Sequence, residues 1–343
     1  MIKNIAIVSL SSGIIGEDFV SHEAELGERR LKEYGLNVKF MPYAKKGLDY
    51  IKNHPEKRAE DMISAFRDDS IDMILCAIGG DDTYRLLPFL FENDELKKAV
   101  KQKTFLGFSD STFNHFMLHK LGIKTFYGQS FLADICELDK EMLPYSKEYF
   151  EELLETGTIK EVKPSKRWYE ERTDFSENAL GTPRVSHENE GFVLLQGKGK
   201  FSGEILGGCL DSIFDMFSAE RYPDTVALCE KYSLFPSLEQ WRGKILLLET
   251  SEEKPTPKKY RKMLETIKAT GIFEVISGVL LGKPMDETYM KEYSEITVEV
   301  VDNKSLPIVT NLNVGHATPR CIVPFGVNAV VDAQNQVITF DGK

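Results

Sequence analysis

The chain has 343 residues, of which 42% are hydrophobic, and carries a formal net charge of -11 with a sequence pI of about 5.2. This length fits two domains better than one core, and the apolar fraction excludes a disordered or fibrous chain. The negative charge argues against a nucleic acid or an anionic membrane surface as the main partner.

Residues 1–8 enter a strand-like run directly, without the longer apolar core and small-residue cleavage site of a signal peptide. No apolar stretch approaches membrane-spanning length, so we expect a cytoplasmic protein. The five cysteines are scattered without a C-x-x-C pair, and this spacing argues against disulfides and structural zinc.

Short apolar runs alternate with helical patterns over residues 1 to about 135. The pattern predicts strands at Ile5–Leu10, Asp72–Ile78, Thr104–Phe108 and Lys124–Tyr127, and a helix at Glu23–Tyr34. This βα succession indicates the α/β class, with an N-terminal doubly wound parallel-sheet domain. In such a sheet, ligands bind at the carboxyl ends of the strands.

The second half of the chain predicts a C-terminal mixed α/β domain. We place the N-terminal domain at residues 1–162, an interdomain linker or long loop at 163–191, where regular patterns dissolve, and the C-terminal domain at 192–343. The elements predicted for the last part are helices at Leu210–Phe217 and Lys258–Ala269 and strands at Lys244–Glu249, Ile276–Leu281, Ala329–Val331 and Val337–Phe340.

The tetrapeptide Gly107-Phe108-Ser109-Asp110 joins a predicted strand to a predicted helix. A serine on such a tight turn exposes its hydroxyl beside the first N–H groups of the helix, which favours Ser109 as a nucleophile. Ser and Asp are also preferred helix-capping residues, and the full G-x-S-x-G pattern is not met because Ser111 replaces the second glycine. Both interpretations stay open on this tetrapeptide alone.

A nucleophilic serine needs a base, and His316 is the best candidate of the six histidines. It follows a strand-like run and lies between Gly315 and Pro319, on a loop with a constrained backbone. His115 lies on the helix that follows Ser109 but is turned away from it, at about 100° per residue. The other histidines lie in charged or polar segments or on that same helix: His22, His54, His119 and His187.

Glu249 is the candidate acid that would orient this base. It ends the aliphatic run Lys244–Glu249 and is therefore tied to a rigid strand, although a strand-end carboxylate can also be merely solvated. Glu252 and Glu253 are expected to decorate the start of the next helix, where the helix dipole favours acids. The chain order of serine, acid and histidine is that of α/β-hydrolases.

A second glycine-rich turn, Gly79-Gly80-Asp81-Asp82, also ends a predicted strand. Its bare backbone at Gly80 is expected to line the substrate site, and the N–H groups of Asp81 and Asp110 are expected to hold an oxyanion. A tight turn with an aspartate cap explains the same residues. The carboxylates of Asp81 and Asp82 disfavour an anionic substrate unless they point away.

Taken together, these motifs resemble the LD-carboxypeptidase family of serine peptidases, and within it the microcin C immunity branch. The resemblance runs through Gly79-Gly80, Gly107-Phe108-Ser109-Asp110, Gly207-Gly208, Leu248–Glu253 and Gly315-His316. It implies a triad of Ser109, Glu249 and His316 divided between two domains, a homodimer and no metal, and we expect no cofactor. It also suggests that Trp168, in the interdomain loop, stacks on a nucleotide base, although a tryptophan can equally pack there as an interface anchor.

The function that this resemblance implies is a serine carboxypeptidase-like hydrolase that cleaves an amide bond of a peptidyl-nucleotide or a related acylated small molecule. One alternative is an LD-carboxypeptidase that releases a terminal D-amino acid from murein peptides. The other is a non-catalytic ligand-binding protein in which Ser109 and Glu249 are only capping or surface residues. The expected partners are a small peptide or peptidyl-nucleotide substrate and a second copy of the chain, with no nucleic acid and no membrane.

Overall fold

The structure, a computed structural model, describes residues 1–341. Its strands are, in chain order, β1 (Asn4–Val8), β2 (Asn37–Phe40), β3 (Met73–Cys76), β4 (Thr104–Gly107), β5 (Thr125–Tyr127), β6 (Glu161–Val162), β7 (Arg167–Tyr169), β8 (Ser186–Glu188), β9 (Val193–Gln196), β10 (Lys200–Cys209), β11 (Ile245–Glu249), β12 (Gly278–Gly282), β13 (Ile308–Leu312), β14 (Val323–Phe325), β15 (Asn328–Asp332) and β16 (Val337–Phe340). Its α-helices are, in chain order, α1 (Ser21–Glu33), α2 (Leu48–Asn53), α3 (Pro55–Arg67), α4 (Leu87–Phe91), α5 (Glu95–Ala99), α6 (Thr112–Lys120), α7 (Pro144–Thr156), α8 (Leu210–Asp215), α9 (Thr225–Lys231), α10 (Leu238–Trp241), α11 (Pro257–Lys268) and α12 (Met290–Val301). Within residues 1–341, no helix is both long enough and apolar enough to cross a membrane.

The first sheet has the strand order β14-β5-β4-β3-β1-β2. Its strands run parallel except β14, which pairs antiparallel with β5. The strand β3 is buried along its whole length, and β1 and β4 nearly so, as expected for central strands of a parallel sheet covered by helices. The parallel sheet predicted for the N-terminal part is confirmed. The edge strand β2 was not predicted, because its half-exposed sequence Asn37-Val38-Lys39-Phe40 has no apolar run.

The second sheet has the strand order β6-β16-β15-β10-β11-β12-β13-β9. Its centre, from β10 to β13, is parallel, and both flanks are antiparallel. The strands β11 and β12 are fully buried, which explains why the aliphatic runs at Lys244–Glu249 and Ile276–Leu281 could be recognised as strands. The mixed α/β class predicted for the C-terminal part is confirmed.

Each sheet takes one strand from the other part of the chain. The strand β14 joins the first sheet beside β5, and β6 joins the second sheet beside β16. Residues 163–191 are not a wholly irregular loop, because they contain the antiparallel pair β7 and β8. The domain boundaries at residues 162 and 192 stay a prediction. The segment between β13 and β14, which carries His316, passes from the second sheet to the first.

Candidate active site

Ser109 lies directly after β4, at the carboxyl end of the parallel sheet, and opens a 3₁₀ turn that leads into α6. Its φ of 63° is in the left-handed region, which a residue with a side chain rarely adopts and which is typical of a nucleophile elbow. Gly79 approaches so closely that a Cβ there would lie 2.6 Å from the Ser109 Cβ. No side chain caps the 3₁₀ turn or α6, so the capping interpretation of Ser109 is wrong.

The structure brings the three predicted residues into one hydrogen-bonded chain. The Ser109 Oγ lies 3.0 Å from His316 Nε2, and His316 Nδ1 lies 2.7 Å from Glu249 Oε2. The backbone N–H of His316 donates to the same carboxylate oxygen at 3.1 Å. All three side chains are buried, so the chain is shielded from competing water. This arrangement can pass a proton from Ser109 to His316 while Glu249 holds the ring in place.

Tyr127, the last residue of β5, joins the two ends of this chain. Its hydroxyl donates to Glu249 Oε1 at 2.6 Å and accepts the backbone N–H of Ser109 at 3.1 Å. Burial and the negative charge of Glu249 raise the pKa of Tyr127 well above its ordinary value, so the hydroxyl stays a donor. Tyr127 therefore fixes the acid relative to the nucleophile, a role for which the sequence alone offered only its place at a predicted strand end.

Glu252 makes a second contact to His316. Its Oε2 lies 2.9 Å from His316 Nε2, the same nitrogen that faces Ser109. The expectation that Glu252 and Glu253 decorate the start of a helix is wrong, because α11 begins only at Pro257. Glu252 instead lies on the turn after β11, with 62% of its side chain exposed.

The two carboxylates control the charge of His316. Burial by itself lowers the pKa of His316, but the charges and hydrogen bonds of Glu249 and Glu252 outweigh it and raise that pKa to about 10. The hydrogen bond from His316 lowers the pKa of Glu252 to about 2. Both carboxylates therefore favour the imidazolium, a form whose Nε2 cannot accept the Ser109 proton, so a reaction at Ser109 needs the neutral ring.

The glycine-rich turn lies against the nucleophile. Gly80 and Asp81 line a small cleft together with Ser109 and Asp110, so the structure brings all four predicted positions together. The Asp110 carboxylate does not cap its own helix but accepts the Ser11 hydroxyl at 2.6 Å and the N–H of Thr83 at 2.8 Å. Burial raises the pKa of Asp110 to about 6.

The two carboxylates that follow Gly80 are both engaged. Asp82 forms an ion pair with the fully buried Arg58 at 2.5 Å and does not cap the 3₁₀ helix after it. Asp81 accepts the hydroxyl of Tyr222 at 2.8 Å. The charge on Asp82 is thus balanced inside the protein, which weakens the expected repulsion of an anionic substrate.

Within residues 1–341, the only cluster of potential metal ligands is formed by Cys209, Glu249 and His316. Both oxygens of Glu249 already accept hydrogen bonds, one from Tyr127 and the other from His316. Burial raises the pKa of the Cys209 thiol well above its ordinary value, which disfavours the thiolate that binds metals. These groups fit a proton relay better than a metal centre.

Ser109 and His316 open onto a cavity of about 590 Å³, here called the Ser109 cavity. Phe19 and Phe175 line it with 62% and 47% of their surface exposed. Trp168 lies outside this lining, and its ring stacks on His187 at a centroid distance of 4.3 Å. That position suits the packing alternative, and stacking of Trp168 on a base stays a prediction. Phe19 and Phe175, which the sequence did not single out, expose aromatic surface in this cavity.

A serine at a strand-to-helix turn of an α/β fold, hydrogen-bonded to a histidine that is itself hydrogen-bonded to a glutamate, is typical of a serine peptidase-type hydrolase. Residues 5–128 match the LD-carboxypeptidase N-terminal domain, and residues 202–331 match the LD-carboxypeptidase C-terminal domain. The chain belongs to the LD-carboxypeptidase family, as the motifs predicted.

Relatives from both branches of this family are similar to the chain. The microcin C7 self-immunity protein MccF of Escherichia coli is 25% identical over 83% of this chain and 78% of its own. The probable murein peptide carboxypeptidase of Bacillus subtilis is 25% identical over 91% of this chain and 84% of its own. Among solved structures, an MccF-like protein from Streptococcus pneumoniae in complex with AMP is 70% identical, with 99% of both chains covered and a TM-score of 0.99.

Proposed function

We propose that the protein is a serine carboxypeptidase-like hydrolase in which Ser109 is the nucleophile, His316 the general base and Glu249 the acid that orients the base. The observation that carries this proposal is the buried chain from Ser109 Oγ to His316 Nε2 at 3.0 Å and from His316 Nδ1 to Glu249 Oε2 at 2.7 Å. A non-catalytic binding protein has no need of this geometry on a strained serine.

In the proposed reaction, Glu252 first leaves His316 and the imidazolium releases its Nε2 proton to water, so the ring becomes neutral with a free acceptor at Nε2. His316 Nε2 then takes the hydroxyl proton of Ser109 while Oγ attacks the carbonyl carbon of the substrate amide. The N–H groups of Asp81 and Asp110 hold the oxyanion. The imidazolium protonates the leaving nitrogen, the C–N bond breaks, and water activated by His316 releases the acyl group from Ser109.

The proposed substrate is a peptidyl-nucleotide or a related acylated small molecule. Two observations favour it: the exposed rings of Phe19 and Phe175 offer stacking surfaces in the Ser109 cavity, and a relative with 70% identity binds AMP. Gly80 is proposed to line the reacting end of the site. The second candidate substrate is a murein peptide that ends in a D-amino acid, which the similarity to the Bacillus subtilis protein favours.

Two further proposals are a homodimer, which family membership supports, and a cytoplasmic location, which was expected from the sequence. Sedimentation equilibrium of the purified protein would report the mass of a dimer of two 39.0 kDa chains if the first proposal holds. A monomer mass across the concentration range would refute it.

The test is hydrolysis by the purified protein of aspartyl sulfamoyl adenosine and of a murein tetrapeptide that ends in D-alanine, followed by mass spectrometry. We expect cleavage of the first compound, and a fall in kcat of at least ~10⁴-fold in Ser109→Ala. Ser111→Ala is the matched control, because Ser111 is buried in the same 3₁₀ turn but does not contact His316. Cleavage of only the tetrapeptide would select the second candidate, and turnover that survives Ser109→Ala would refute the mechanism.

A further inference from the structure

Glu23, on α1, is a buried carboxylate that faces the Ser109 cavity without a partner. Only 5% of its surface is exposed, and it forms no hydrogen bond or ion pair through its side chain with any of residues 1–341. The other buried charges of the cavity wall are satisfied. Glu137 pairs with Arg172 at 2.6 Å and with Arg184 at 2.7 Å, and Arg320 pairs with Asp134 at 3.0 Å.

A role within the fold does not account for Glu23. It lies in the first turn of α1, but no side chain caps that helix. Burial raises the pKa of Glu23 to about 7; the positive charges of His22 and Arg172 oppose this shift, and the negative charge of Glu137 adds to it. The Glu23 oxygens are not among the side-chain atoms of residues 1–341 that are closed to solvent without a partner, so the carboxylate faces the open cavity, where water or a ligand satisfies it.

The surroundings of Glu23 indicate the chemistry of a ligand that would satisfy it. In its ionised form the Glu23 carboxylate only accepts hydrogen bonds, so a ligand that binds this form presents N–H or O–H donors, and binding of such a donor favours ionisation. Phe19 and Phe175 expose ring faces in the same cavity, which favours a flat ring over a flexible chain. The volume of about 590 Å³ leaves room for such a ring beyond the reacting atoms at Ser109.

Building on the proposed function, we propose that Glu23 is the specificity-determining acceptor of the site: it selects a substrate whose far end is a planar nitrogen heterocycle with an exocyclic amino group. The amino group donates to the Glu23 carboxylate while the ring lies against the phenylalanine faces. A ring without that amino group leaves the carboxylate buried and unpaired, so it binds less tightly.

Calorimetric titration with two ligands tests this assignment without requiring turnover. The ligands are AMP and purine riboside 5′-monophosphate, which differ only in the exocyclic amino group. Because a hydrogen bond to a charged group is at stake, we expect the wild type to bind AMP at least about tenfold more tightly. Glu23→Leu should bind the two ligands equally, whereas Glu25→Leu, which removes an exposed charge on the same helix, should keep the preference.

Three outcomes would overturn the proposal: no binding of AMP, equal binding of both ligands by the wild type, or a preference for AMP that survives Glu23→Leu. Circular dichroism and thermal melting of each variant show whether it is folded, and Glu23→Gln, which keeps the shape of the side chain, replaces Glu23→Leu if the latter does not fold. Gln should then reduce the preference without abolishing it. Hydrolysis that depends on Ser109 in the same preparations separates a failure of this assignment from a failure of the proposed function.

Discussion

The nucleophile and its two partners are held by different means in the two sheets. Ser109 is positioned locally, by the end of β4, by its own backbone φ of 63° and by the close approach of Gly79. Glu249 and His316 are positioned over a longer range, since the first ends β11 and the second lies on the segment that leaves β13 for the other sheet. The nucleophile elbow at Ser109 can therefore form within the first sheet alone. The relay from Ser109 through His316 to Glu249 forms only when both sheets are folded and packed together.

The strongest test of this contrast is Glu249→Gln, which changes the second sheet and leaves the elbow intact. Glutamine has one acceptor oxygen, so it cannot accept from both Tyr127 and His316 as the carboxylate does, and the ring loses its orientation and charge partner. We expect kcat to fall by ~10³- to 10⁴-fold in steady-state assays. Glu299→Gln, an exposed acid of the same part of the chain, is the control. A normal kcat in Glu249→Gln would show that the acid of the relay lies elsewhere.

Tyr127→Phe tests the link between the two sheets. Loss of the Tyr127 hydroxyl leaves Glu249 Oε1 and the N–H of Ser109 without a buried partner. We therefore expect kcat to fall by about tenfold and the free energy of unfolding to fall by about 1–3 kcal/mol. Urea denaturation and kinetics measure the two effects separately. Tyr34→Phe removes a half-buried hydroxyl bonded to Glu151, away from the relay, and should leave kcat unchanged. A loss of stability with an unchanged kcat would reduce Tyr127 to a structural role.

Glu252→Gln should change activity in the opposite direction. The paired carboxylates raise the pKa of His316 to about 10 from an ordinary 6.5, so the neutral base is scarce at neutral pH. Loss of the Glu252 charge lowers that pKa, moves the acidic limb of the kcat/KM profile to lower pH and raises activity near pH 7 by up to about tenfold per pKa unit.

The matched control for this change is Glu253→Gln, whose carboxylate pairs with Arg221 at 2.9 Å rather than with His316. Its pH profile should coincide with that of the wild type.

The free energy of unfolding of the wild type should also depend on pH, because the pKa of His316 is raised in the folded protein. The contribution of the His316 ion pair to this free energy is fully present below about pH 6.5 and is lost as pH rises toward 10. Coincident profiles for Glu252→Gln and the wild type would contradict the assigned role of Glu252.

The structure brings together three residues that the sequence singled out by a local signal. Ser109 and Glu249 each follow a short apolar stretch, and His316 was the histidine left on a constrained loop. Sequence reasoning failed for Glu252, because the helix signal of Thr256 and Pro257 comes later than assumed. The family resemblance singled out Trp168, whose stacking role stays a prediction, and did not single out Phe175, whose ring is exposed in the cavity on the same segment.

Local patterns were enough to place β1, β3, β4, β5, β11 and β12, because hydrophobic periodicity involves neighbours in the chain. The family followed from the resemblance carried by the motifs and their order. The contacts that set the chemistry are not local. His316 meets Ser109 across 207 positions, and Tyr127 meets Glu249 across 122. The packing of the two sheets against each other decides that Ser109 and Glu252 share one nitrogen of His316 and that Glu23 has no partner in the cavity. No periodicity along the chain encodes that packing.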